Sequence, residues 1–217
     1  MYSFSVTKNG KELDNNLYTW DEETKTFSTK ESNLVLNFNN LNEVTFNTGL
    51  RCIFNTGSYC TFNTGSNCTF NTESDCTFKA GSNCTFNTES DCTFKAGSDC
   101  TFDTGSYCTF DTGDNCTFNT GLDCIFKTGD NCTFDTGSDC TFKTKLCCTF
   151  KTGSKCVIIR NDIFEVIKLE EGKKIKLNGW KEKGYTEVKD TKTISIDGKD
   201  IEISLESYEA FKEQFKI

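Results

Sequence analysis

The sequence has no proline, no histidine, one methionine and only two tryptophans in 217 residues. Without histidine it lacks the commonest acid/base side chain and metal ligand at neutral pH. Basic charge is also short, with 24 Lys and Arg against 32 Asp and Glu and a formal net charge of -8. The basic stripe that holds nucleic acid or an anionic membrane is not expected from that balance, so neither partner is expected. No window approaches the ~20 apolar residues of a membrane span. The opening MYSFSVTKNG has no basic stretch followed by an apolar one, so no signal peptide is read and cytoplasmic synthesis is expected.

What is present is 20 Phe and 15 Cys, far above average usage. That much cysteine points to disulfides in a secreted chain, but without a secretory route the default is reduced thiols. The Asn-Cys-Thr sequons at Asn67, Asn83, Asn115 and Asn131 carry no weight for the same reason.

Composition divides the chain into residues 1–43, 44–157 and 158–217. The first shows short apolar runs (Tyr2-Phe4-Val6, Leu17-Tyr18-Thr19-Trp20, Leu34-Val35-Leu36) separated by KNGKE, DEET and KESN, the pattern of an N-terminal β cap. The third contains TISIDGKDIEISL. There Ile194/Ile196 and Ile201/Ile203 flank Asp197-Gly198, a tight-turn dipeptide, so a hairpin is predicted. Ser204 is a candidate N-cap, and Leu205, Tyr208, Phe211 and Phe215 predict a helix over about 205–216. Such a small α+β C-terminal unit suits a cap that covers the last layer of a repeat array, and a partner-binding module is the alternative.

The middle segment is an octapeptide array, as in TFNTGSNC at Thr61–Cys68. Phenylalanine stands at Phe46, Phe54, Phe62, Phe70, Phe78, Phe86, Phe94, Phe102, Phe110, Phe118, Phe126, Phe134, Phe142 and Phe150. Cysteine follows each by six residues, at Cys52, Cys60, Cys68, Cys76, Cys84, Cys92, Cys100, Cys108, Cys116, Cys124, Cys132, Cys140, Cys148 and Cys156. The residue before Phe is Thr in twelve units and Ile in two, always β-branched. Two after Phe comes Thr, or Ala at Ala80 and Ala96, so this position takes only small side chains.

Side chains alternate along a strand, which places Phe, Cys and the small Thr/Ala inward, and the preceding Thr and the Asn/Lys/Asp after Phe outward. Gly-Ser-Asn/Asp marks a turn, because these residues accept left-handed backbone angles or bond their own backbone. Glu73, Glu89 and Lys145 stand where the other units have Gly, so the turn must face solvent.

A short strand and turn repeated without insertion predicts an all-β solenoid whose layers match residue by residue, with Phe and Cys ladders as its structural core. Eight extended residues span about 27 Å, narrow for two Phe-lined sheets. One or two octapeptides per coil both stay open, since like and unlike charges after Phe balance equally at spacings of eight and sixteen. Three chains wound into an intertwined trimer, as in phage spikes, is a further geometry.

The array offers little chemistry. Zinc sites cluster thiolates as C-x2-C pairs, often with His, so a ladder of single Cys is read as small buried hydrophobes and no metal or cofactor is expected. Parallel side chains in adjacent layers oppose disulfides. Cys147, off the lattice beside Cys148, is the candidate exposed thiol. No set of nucleophile, base and orienting residue stands out, so no enzyme is expected. The outward Thr rows resemble those of beetle antifreeze solenoids, but charged residues such as Lys79, Lys95, Asp103 and Asp111 flank them.

The TFxTGxxC octapeptides and the ending TKTISIDGKDIEISLESYEAFKEQF resemble uncharacterised phage and metagenomic repeat proteins of the quick β-solenoid type. The resemblance implies a tightly wound coil, favouring one octapeptide per turn, and a phage setting, with virion association one form of it, and it brings no catalytic residues. The expected function is a non-catalytic rod, structural or interacting, with partner binding or self-association through its caps. Surface binding to ice or a glycan is the alternative.

Overall fold

The computed structural model describes residues 4–39, 41–160, 162–196 and 199–215. Its centre is a β-solenoid of two facing parallel sheets, and each turn of the coil contains two octapeptides. Phe54 pairs in register with Phe70, and Phe70 with Phe86. Phe46 pairs with Phe62, and Phe62 with Phe78. Alternate repeats therefore stack sixteen residues apart, so the single-octapeptide coil favoured by the resemblance is not formed.

The reason lies in the size of Phe. Rings of one sheet stack nearly parallel at 4.7–5.0 Å. Each also meets its neighbours from the other sheet edge-on, at 5.0–5.5 Å and 70–79°. Two facing ring ladders fill the interior completely, and a loop half as long has no room for both. Every layer comes from consecutive stretches of the same chain, so the stacking requires no second or third chain.

Parallel stacking begins before the first octapeptide. The strand Thr26–Thr29 sets Phe27 opposite Phe46, and Leu34–Phe38 sets Leu36 opposite Phe54. Antiparallel strands then close this end, Tyr18–Asp21 on one sheet and Ser5–Lys8 with Lys11–Glu12 on the other. At the far end Glu165–Lys168 runs antiparallel to Val157–Arg160, and Lys174–Leu177 antiparallel to Thr149–Thr152. All the closing strands are short and each carries charge at one end or both, as edges that avoid further pairing do.

The sheets number twelve and eleven strands. The strands that cover the last coil thus come from residues 165–187, ahead of the hairpin expected in that role. The hairpin itself forms from Thr191–Ile196 and Lys199–Ser204, with Ile194 opposite Ile201. Its Asp197-Gly198 turn lies outside the described residues. The helix runs Leu205–Phe215, and Ser204 caps it by accepting the Ser207 N–H at 3.1 Å. Of the expected apolar stripe, Leu205 is largely exposed and Tyr208 lies 4.0 Å beneath the Lys192 ammonium; the side chains of Phe211 and Phe215 are outside the described set.

Candidate interaction surface and the ladders beneath it

All fourteen ladder phenylalanines and all fourteen ladder cysteines are buried. Between them sit the small residues expected there, with Thr56, Thr72, Thr88 and Thr104 among the buried threonines. The cysteines turn out to do more than fill space. At four corners, those of Cys52, Cys60, Cys68 and Cys140, the backbone N–H meets the sulfur of the cysteine one coil onward. The Cys52 N–H donates to the Cys68 sulfur at 3.5 Å, and the Cys60 N–H to that of Cys76 at 3.4 Å. The Cys76 thiol in turn donates to turn carbonyls, of Ser74 at 3.4 Å and Gly57 at 3.6 Å.

At Cys124, Cys140 and Cys156 the hydrogen bond with the thiol one coil earlier raises the thiol pKa, and burial adds to it. These three thiols are thereby favoured in the protonated form, whereas at Cys68, Cys92 and Cys116 the hydrogen bonds from neighbouring thiols act the other way and lower the pKa. Cys147 is half-buried, in contrast with Cys148 beside it. Among the described residues no group of three or more Cys, Asp or Glu could hold a metal ion.

The turns divide between two positions the roles that the sequence expectation gave to Gly-Ser-Asn/Asp together. The left-handed residue is the one five after Phe in every repeat, from Arg51 (φ 57°) through Asn67 (φ 61°) to Lys155 (φ 56°). Asn and Asp are common there because they tolerate this region at least cost. Glycine serves close approach instead: a Cβ on Gly81 would meet the Ser66 hydroxyl and lie 2.8 Å from the Ser66 nitrogen. That space lets the Ser66 hydroxyl accept the Ser82 N–H at 3.1 Å, and Ser82 accept that of Ser98 at 3.1 Å. Where Glu replaces Gly, the serine below turns to the carboxylate, as Ser58 does to Glu73 at 2.8 Å.

Outside, each sheet carries one Thr row and one row of Asn, Asp and Lys. Sixteen-residue spacing brings Asp111 to Lys127 at 3.1 Å and Asp135 to Lys151 at 3.4 Å. The row of Asp111 and Lys127 forms an amide ladder at its start, with Asn63 Nδ2 donating to Asn47 Oδ1 at 3.0 Å and Asn47 Nδ2 to Ser28 Oγ at 3.2 Å. Here lies a groove of about 700 Å³, lined by Leu17, Tyr18, Lys30, Asn47, Thr48 and Asn63 among others. The sequence expectation missed it, because the asparagines align only once the coil length is known.

It also missed Arg160. This residue occupies the inward register position of Thr144 one coil earlier and is fully buried. Its guanidinium donates to both Asp162 oxygens, at 3.1 and 2.6 Å, and to the carbonyls of Glu182 at 2.6 Å and Gly179 at 3.2 Å. Burial works to raise the Asp162 pKa, but the hydrogen bonds and charge of Arg160 prevail and hold it below the ordinary carboxylate value. Glu165 completes the knot, 3.8 Å from Arg160 Nη1 and accepting the Gly184 N–H at 3.1 Å. The last coil is thus tied to the segment that covers it. Near this end Phe164, Val166 and Trp180 are exposed, Phe164 by 93%.

No protein-family model, no curated protein and no solved structure matches the chain.

Proposed function

We propose that this chain is a non-catalytic rod that holds its two ends at a fixed separation and presents a surface along its length. The observation that carries this is the unbroken sixteen-residue register, in which every inward position is filled by Phe, Cys or a small residue and leaves the interior closed. A core of identical layers resists bending, because each ring is held by stacking along its row and by edge contacts across it. The carboxylates lie on turns and outer faces, where they serve solubility. In keeping with the octapeptide resemblance, we place the rod in a phage particle, with Phe164, Val166 and Trp180 as the cap surface for a protein partner or a second copy.

At about 4.8 Å per strand, the twelve-stranded sheet is about 50 Å long. Small-angle scattering should return a rigid particle of that length and one chain thick. A compact sphere, or a thickness of three chains, overturns the proposal.

A second reading, surface recognition, is favoured by the groove beside Asn47 and Asn63. A glycan suits it better than ice, because a single Thr row per face flanked by Lys and Asp does not make the flat, uncharged surface that ice requires.

A further inference from the structure

We infer that the groove at the N-terminal end of the second sheet binds an extended acidic polysaccharide, a chain of uronic-acid sugars. This deepens the surface-recognition reading and is independent of the rod's length. The groove of about 700 Å³ adjoins a second hollow of about 430 Å³ that shares Thr48 and Asn63 and reaches Lys79. Together they run across five hydrogen-bonded neighbours, from Tyr18–Asp21 through Thr26–Thr29, Thr45–Asn47 and Thr61–Asn63 to Thr77–Lys79. An extended ligand therefore lies along the solenoid axis and crosses one coil after another.

The amides select hydroxyls. Asn63 and Asn47 each spend one Nδ2 hydrogen on the row itself, which fixes the plane of both groups and leaves the second hydrogen free. Asn63 Oδ1 has no partner among the described residues, so this side chain offers a donor and an acceptor together, the pair that neighbouring sugar hydroxyls satisfy. The row repeats every ~4.8 Å, close to the step of one pyranose ring along an extended chain. Leu17, 46% exposed, closes the end with an apolar surface for the C–H face of a sugar ring.

The charges select an acid. The chain carries a net charge of -8, yet the described residues lining the two hollows include Lys30 and Lys79 and no carboxylate. A neutral sugar would leave both ammonium groups in water, whereas a carboxylate at each gains a charge-assisted hydrogen bond. Single-stranded nucleic acid is also a polyanion, but it wants free aromatic faces for its bases. Tyr18, the one ring among the described residues that line the groove, already stacks on Phe27 at 5.1 Å.

Titration calorimetry of the full chain with polygalacturonate, dextran and an oligothymidylate tests the assignment. Polygalacturonate should bind, weakening as salt rises, while dextran and the oligonucleotide should not. Lys79→Glu and Lys30→Glu should each weaken binding about tenfold, and Asn63→Ala should weaken it without altering the salt dependence. All three residues are exposed or at the surface, so matching circular dichroism and melting curves will establish that the variants fold. Absence of polygalacturonate binding, equal binding of dextran or the oligonucleotide, or unchanged affinity in the charge-reversed variants overturns the assignment. None of these outcomes alters the particle length seen by scattering, so the groove and the rod fail separately.

Discussion

The backbone N–H of Cys60 donates to the sulfur of Cys76, 3.4 Å away and one full coil onward. This relationship gives the periodic cysteine a reason that packing alone does not. A valine or alanine at position 76 would fill much of the same volume but would leave the buried Cys60 N–H without its acceptor. Replacing Cys76 by Ala should therefore cost about 1–3 kcal/mol, the usual penalty for an orphaned buried donor. Cys76→Ser should cost less, because its hydroxyl still accepts from Cys60 and donates towards the Ser74 carbonyl. Chemical denaturation of the two variants decides the point: an alanine variant as stable as the serine one would reduce the cysteine to a space-filler.

The same distinction governs chemistry at the thiols. Under native conditions iodoacetamide should modify Cys147 and leave the buried rows untouched, since their sulfurs are covered. Intact mass should show one adduct on the folded chain and, after denaturation in the reduced state, modification of all 15 cysteines. Several adducts on the folded chain, or an adduct mapped to Cys148, would show that the corners open readily.

The turns make a prediction of opposite sign. Tyr107 holds φ at 60° with its side chain mostly in water, so it bears the cost of the left-handed region with little packing in return. Tyr107→Asn should stabilise the fold by about 0.5–1 kcal/mol. Gly81→Ala should destabilise it by about 1 kcal/mol although its φ is not left-handed, because the new Cβ displaces the Ser66 hydroxyl from the Ser82 N–H. Melting curves in which Gly81→Ala is neutral would mean that the coils can spread at no cost.

These cases show what the residues alone disclosed. Strand, turn and the inward set of Phe, Cys and Thr followed from alternation, which is local and needs no knowledge of coil length. Two octapeptides per turn did not follow, because the rows after Phe place like charges together at either spacing: Lys79 lies beside Lys95 and Lys127 beside Lys143. What settles the coil is the shape of two interlocking Phe ladders. The left-handed angle is read for Gly-Ser-Asn/Asp as a group and belongs to Asn67 and its equivalents, since both Gly and Asn favour turns and only backbone geometry separates them. The amide groove and the Arg160 knot were invisible for one shared reason. Each depends on contacts sixteen or more residues apart, Asn63 with Asn47 and Arg160 with Gly179 and Glu182, and Arg160 stands where the register would call for another Thr.

That knot supplies the remaining prediction. Arg160 is fully buried, and its charge is balanced by Asp162 with help from Glu165 and two carbonyls. Removing either partner strands the other, so Arg160→Ala or Asp162→Ala should cost about 3–5 kcal/mol. The Asp162 pKa is depressed in the folded state. Its contribution is therefore fully present above the ordinary aspartate value of about 3.9 and is lost as pH falls through the lower folded value. Urea unfolding followed from pH 7 down to pH 2 should show the native chain losing stability at the acid end. Asp162→Asn should start lower and lose less over the same interval. Parallel acid limbs for the two proteins would remove Asp162 from the pH response and leave the knot a matter of hydrogen bonding alone.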